Sequence, residues 1–261
     1  MSRKNLGRTL VILSALLYGM MPFLALKVYD NGGNAVTAAF FRFALSLPAL
    51  WIMDRITAAR QGKEEPSQTA AKRRLTGREI RTLLIMGLLF MATPVLLFES
   101  YEYIASGLST TLHFTFPIVV LLICRVILGK KITYLKGICC VVCVLGVILM
   151  SSQAGSIHPL GLIFAGASAL TYAAYTVYFS EKGTPEGMSA FRHTFILNLI
   201  GSAGILALIL ALRAGAFRLT PLGWLFAFAV SWGTGIGAAM LCPVASLAAM
   251  LLFGILADRN G

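Results

Sequence analysis

Apolar stretches of membrane-crossing length recur along this chain, from Leu6 to Ala257, separated only by short breaks that hold the charges. A hydrocarbon core about 30 Å thick takes about 20 apolar residues of helix to cross. Inside it every backbone N–H and C=O must be paired within the protein, which leaves helices or closed barrels as the only spanning elements. Runs of this length and composition are helices. The spacing predicts about nine spans, at 6–27, 34–53, 80–98, 104–127, 134–151, 159–180, 190–212, 221–240 and 241–257. The expected fold class is all-α, a polytopic transmembrane helix bundle.

Composition agrees. Of 261 residues 58% are hydrophobic and only 12% charged, about half the charge of an ordinary soluble domain. A net charge of +12 invites a nucleic-acid reading, but its distribution argues against one. Arg3, Lys4 and Arg8 precede the first span, and Lys72, Arg73, Arg74, Arg78 and Arg81 gather in the 54–79 loop. Cytoplasmic flanks carry such charges. The bias puts the N-terminus, the 54–79 loop and the Lys130-Lys131/Lys136 turn inside, with the 28–33, 99–102 and 152–158 turns outside. Arg213 and Arg218 fall on an outside turn against the rule. The basic start followed by Leu10–Leu17 resembles a signal peptide, yet the apolar run continues to Leu26 without a cleavage site. It reads as a retained first span in a plasma (inner) membrane protein.

A faint repeat runs through the chain. Ser14-Ala15-Leu16-Leu17-Tyr18-Gly19 recurs as Ser168-Ala169-Leu170-Thr171-Tyr172-Ala173, and Phe41-Arg42 recurs as Phe191-Arg192. An odd number of predicted spans separates the copies, so the second enters the membrane from the opposite side. Inverted repeats of this kind place a binding site near the midplane, between the halves. The units are 1–153 and 154–261.

In this order the motifs resemble the drug/metabolite transporter superfamily, in its EamA-type members. The carrying residues are Tyr18-Gly19 with Lys27, then Phe41-Arg42-Phe43, Tyr101, Tyr103 and Ala105. Pro117, Leu128-Gly129, Lys136-Gly137 and Gly146-Val147 follow. The resemblance spans most of 6–240. It implies ten helices in two inverted five-helix bundles, both termini cytoplasmic, and movement of small metabolites by alternating access. Two departures stand out. Lys130 occupies the place where the family has Glu. The second unit is also shorter than the first by roughly one helix, and Cys242-Pro243-Val244 comes early for the ninth-span proline motif.

Ionisable groups inside lipid are functional candidates because each costs about 2.5–3.5 kcal/mol to insert. Arg42 lies roughly 12 Å deep at 1.5 Å per residue. It either contacts solute or snorkels and pairs with Glu99 or Glu102. His113, one turn before Pro117, either binds solute and relays protons or satisfies the backbone loosened by the proline. Tyr172, Tyr175 and Phe179 share one helical stripe, and Tyr18 is the repeat partner of Tyr172. The expected solute-binding set is Tyr18, Arg42, His113, Tyr172 and Tyr175, with ring packing between helices as the competing role. Arg125, Arg192 and His193 read as interfacial anchors. Glu99 and Glu102 read as a solvated helix end. No acid falls in mid-membrane, which leaves a coupling ion or proton open, as is a homodimer.

Other chemistry has little support. All five cysteines lie in predicted spans, and Cys140-x-x-Cys143 lacks the second pair or His that a metal site needs. No cofactor is expected. Gly233-x-Gly235-x-Gly237 follows no strand and is not a nucleotide loop. Gly166-Ala167-Ser168 resembles the Gly-x-Ser of a rhomboid-type protease. With His193 as base, however, the pair would stand roughly 10–15 Å apart along the membrane normal. A solute transporter is therefore the expected function, ahead of a passive channel or a non-transporting membrane partner, with the hydrolase remote.

Overall fold

The structure is a computed structural model that describes residues 19–64, 75–129, 145–146, 149 and 158–233. Among these residues every regular element is helical. In chain order they are α1 (Met21–Asp30), α2 (Ala35–Ala44), α3 (Leu47–Glu64), α4 (Gly77–Ser100), α5 (Ser106–His113), α6 (Phe116–Val126), α7 (Pro159–Lys182) and α8 (Ala190–Leu212), then α9 (Pro221–Gly233). Five helical segments are long and apolar enough to cross a bilayer: Ala35–Ala59, Gly77–Ser100, Ser106–Val126, Pro159–Lys182 and Ala190–Leu212. They coincide with the spans expected at 34–53, 80–98, 104–127, 159–180 and 190–212. The spans expected at 134–151 and 241–257, and most of 6–27, lie outside the described residues.

Local chemistry sets the helix ends. Thr76 and Glu79 form a reciprocal capping box at the start of α4, satisfying backbone donors that the helix leaves open. Asn34 caps α2 by accepting from Thr37 N, and Ser189 caps α8 by accepting from Arg192 N. Two spans are interrupted. Leu45 and Ser46 separate α2 from α3, and Phe114 and Thr115 separate α5 from α6. The second break has a direct cause, because Pro117 supplies no N–H and fits only within the first turn of a new helix.

Helix α4 is the hub, packing against α7, α8, α2 and α5. Close approach depends on small residues, as membrane interfaces require. A Cβ built on Gly87 of α4 would stand 2.8 Å from Ile200 Cβ, and one on Gly161 of α7 would stand 2.7 Å from Ile104 Cγ2. A Cβ on Gly166, by contrast, meets nothing within 4 Å.

The ends of the helices sort into two layers. Asn34 Nδ2 donates to Ala214 O, Ala216 N to Thr37 Oγ1, and Ala35 N to Glu102 Oε1. At the opposite end Ser189 Oγ donates to Asp54 Oδ1 over 2.6 Å. Halfway between, Ser46 Oγ donates to Asn198 Oδ1 and Gly201 lies against the Phe43 ring. The span 35–59 therefore runs antiparallel to 190–212. Gly32, at φ +92°, lets its turn approach the Arg218 carbonyl more closely than any side chain permits.

Side chains are arranged for a lipid solvent. Ile163, Leu210 and Val126 are 63%, 70% and 79% exposed, while Arg42, Ser46, His113, Ser168, His193 and Asn198 are buried. We expect Gly87→Ala to destabilise the purified protein by about 1–3 kcal/mol through overpacking. Gly166→Ala should be neutral or stabilising by up to about 1 kcal/mol, because Ala is the better helix former. Thermal unfolding of both variants in detergent checks the contrast.

Candidate functional site

The most densely built polar and aromatic region lies where α5, α6 and α7 meet α4 and α2. It begins at His113, the last residue of α5, positioned by the break before Pro117. His113 Nδ1 is 3.0 Å from Ser168 Oγ on α7. That hydroxyl donates its one proton to the Ala165 carbonyl at 2.7 Å, so it accepts from Nδ1–H. In the neutral ring this leaves Nε2 as an acceptor. A chain of rings starts from the same imidazole. Tyr172 is 5.5 Å from His113 and 4.6 Å, edge-on, from Phe116. Tyr175 follows at 6.0 Å from Tyr172, and Phe179 at 6.0 Å from Tyr175. The stripe expected on α7 is thus present, at the one-turn spacing of a helix face.

The wall turns a corner at Tyr175. Phe90 of α4 lies 5.2 Å from it, Phe43 lies 5.6 Å from Phe90, and the Arg42 guanidinium carbon is 5.6 Å from the Phe43 ring centroid. Such an approach is attractive when the cation meets the ring face. Arg42 is 7% exposed, and its carbonyl accepts from Ser231 Oγ at 3.1 Å, tying α9 to the same level. Just beyond the membrane-crossing part of α4, burial pushes the Tyr101 phenol up to about 12, while its Thr110 hydrogen bond and the Arg42 guanidinium pull the other way. Tyr101 consequently stays protonated at physiological pH, and its hydroxyl lies 3.2 Å from Thr110 Oγ1. Tyr172, Tyr175, Phe179, Phe116 and Phe90 are half-buried.

Four of the five expected solute-binding residues thus belong to one connected surface: Arg42, His113, Tyr172 and Tyr175. Tyr18 lies outside the described residues. Sequence reading missed Phe43, Phe90 and Phe116, which join the stripe on α7 to Arg42 and His113. It also missed Ser168 as the partner of His113, and Thr93 Oγ1, which sits 3.1 Å from Thr171 Oγ1 across the α4–α7 contact. Among the concavities of the described residues is an open cleft of about 290 Å³ at Ile209, Leu210, Arg213 and Gly215, and a very small one, lined by Leu75, Glu79 and Met188 among others, lies at the opposite end.

One expectation needs correction. His193 is not an interfacial anchor: it is fully buried, 0% exposed, with its ring 5.4 Å from Phe179. Glu102 is exposed, as a solvated helix end should be, and its carboxylate also takes the Ala35 N–H at 3.4 Å, at a helix N-terminus where negative charge is favoured. Arg125 is exposed at the end of α6, as an anchor should be. The imidazole that meets Ser168 is His113, not the His193 considered for a hydrolase. Among the described residues no group of three or more His, Cys, Asp or Glu could hold a metal ion.

A double-mutant cycle between His113→Ala and Ser168→Ala should give a coupling of about 0.5–1.5 kcal/mol, one net hydrogen bond. It is measured from thermal unfolding in detergent.

Comparison with known proteins adds the context that this geometry needs. Residues 5–152 match the model of the EamA-like transporter family. No curated protein matches the chain.

Proposed function

The chain belongs to the EamA-like transporter family, within the drug/metabolite transporter superfamily, and on that premise we propose how it works. It is a multi-pass membrane transporter; its partners are a small-molecule solute and membrane lipid. The proposed activity is movement of small organic metabolites or drugs across the plasma membrane, in the direction of efflux. The solute sits against the aromatic wall of Tyr172, Tyr175, Phe116 and Phe90, with Arg42 and His113 supplying charge and hydrogen bonds. Tyr18, the repeat partner of Tyr172, completes the proposed solute-binding set.

One observation carries the reading. A buried guanidinium and a buried imidazole are joined on membrane-crossing helices by a continuous strip of rings, in which Phe90, Tyr175 and Tyr172 are half-buried and Phe43, next to Arg42, is fully buried. Rings offer area for amphipathic solutes while their hydroxyls orient them, and charged groups kept in lipid mark transport routes. In transporters built from inverted repeats, access alternates as one unit rocks against the other. The antiparallel run of 35–59 and 190–212, which carry the recurring Phe-Arg pairs, supports two inverted halves of that kind, 1–153 and 154–261. Charge bias supports a cytoplasmic N-terminus.

In proteoliposomes the protein should show saturable counterflow of a solute chosen by screening overexpressing cells for altered accumulation. Arg42→Ala and His113→Ala should each lower uptake at least about tenfold, as loss of a charge-assisted or buried hydrogen bond does. Unchanged kinetics in both would refute the site. Flux that does not saturate would indicate a passive channel, and absence of flux a non-transporting partner. Repeating counterflow under imposed proton or sodium gradients assigns the driving ion, and the mass of the detergent complex reads monomer against homodimer. In cells, Arg218→Cys should react with an impermeant thiol reagent added outside, and Thr184→Cys should not.

A further inference from the structure

His193 has no place in the site just described, yet it is the most anomalous polar group among the described residues. Its side chain is completely buried, and neither Nδ1 nor Nε2 has a hydrogen-bond partner among the described residues. Its buried polar neighbours on α8 are served locally: Thr194 Oγ1 donates to Ala190 O and Asn198 Nδ2 to Thr194 O. Buried polar groups are nearly always satisfied, so an orphan calls for a cause such as an absent partner. Position supplies one. The His193 ring lies 5.4 Å from Phe179, the last ring of the stripe that begins at Tyr172 beside His113. Roughly 10 Å of helix rise separates Tyr172 from Phe179. The aromatic strip is thus bounded by imidazoles at both ends, one held by Ser168 and one open.

We propose that His193 is a second solute-binding residue, and that the solute class is an aromatic molecule with polar groups at both ends. An anionic group meets Arg42, the flat body lies along Tyr172, Tyr175 and Phe179, and a distal hydroxyl or amine bonds His193 once Phe179 shifts off its ring. This rests on the aromatic-wall reading and deepens it. A site built to hydrogen-bond a polar group discriminates against analogues that lack it.

The test uses the full-length protein in nanodiscs and two probes that differ by one hydroxyl, 4-hydroxycinnamate and cinnamate, with affinities from calorimetry. Wild type should bind the hydroxylated probe roughly three- to tenfold more tightly, the value of one hydrogen bond. His193→Phe should erase that preference while leaving cinnamate affinity unchanged, and His193→Gln should restore part of it. Equal or undetectable binding of both probes to wild type would overturn the proposal, as would a preference that survives in His193→Phe or an equal loss for both probes. A His193→Phe chain that does not fold shifts the decision to His193→Gln: a preference unchanged from wild type refutes the assignment, a reduced one supports it. Arg42→Gln separates the two readings. If it abolishes binding of both probes while wild type shows no hydroxyl preference, the wall stands and the role of His193 falls.

Discussion

Helices in lipid gain nothing from hiding apolar surface from other apolar surface, so they are held by close contact and by hydrogen bonds between them. In this protein that constraint converges on α4. Gly87 admits Ile200 of α8, Thr93 meets Thr171 of α7, and Phe90 bridges Phe43 on α2 to Tyr175 on α7. Without those approaches the rings on α7 would be an isolated stripe, and Arg42 would be a charge with no shared surface.

Two helix interruptions give the bundle its chemistry. The break at Phe114 and Thr115 places His113 at a helix end, where its imidazole reaches across to Ser168. At the break of Leu45 and Ser46 the Ser46 hydroxyl donates to Phe43 O at 2.8 Å and stands 3.1 Å from Asn198 Oδ1, holding this level against α8 one turn from Arg42. A proline that disrupts a span costs backbone hydrogen bonds. Here the disruption coincides with the densest cluster of polar and aromatic groups. In transporters, irregular backbone at membrane depth is tolerated where it lines a cavity or is buried in protein.

Much of this was legible in the chain. Run length gave the position of five spans to within a few residues, because membrane thickness leaves little freedom. The spacing of Tyr172, Tyr175 and Phe179 gave their common face, since helical periodicity is local. The depth of Arg42 followed from its place in the span, whereas its burial inside the bundle, at 7% exposed, came from packing. Harder to foresee were residues whose role depends on a neighbour far away in sequence. Phe90 and Phe43 are ordinary apolar residues until packing stands them between Arg42 and Tyr175. His193 sits four residues past Ser189, at a chain position typical of an anchor, and only the packing of α8 buries it.

The sequence by itself determined the solvent, the helical class and the approximate ends of the spans, because these follow from hydrophobic length and charge placement along a single helix. The tertiary structure alone decided which faces meet, that 35–59 and 190–212 run antiparallel, that His113 bonds Ser168, and that His193 is enclosed without a partner among the described residues. Those outcomes depend on interhelical distances of a few ångströms, set by glycines and hydroxyls whose effect no one-dimensional pattern records.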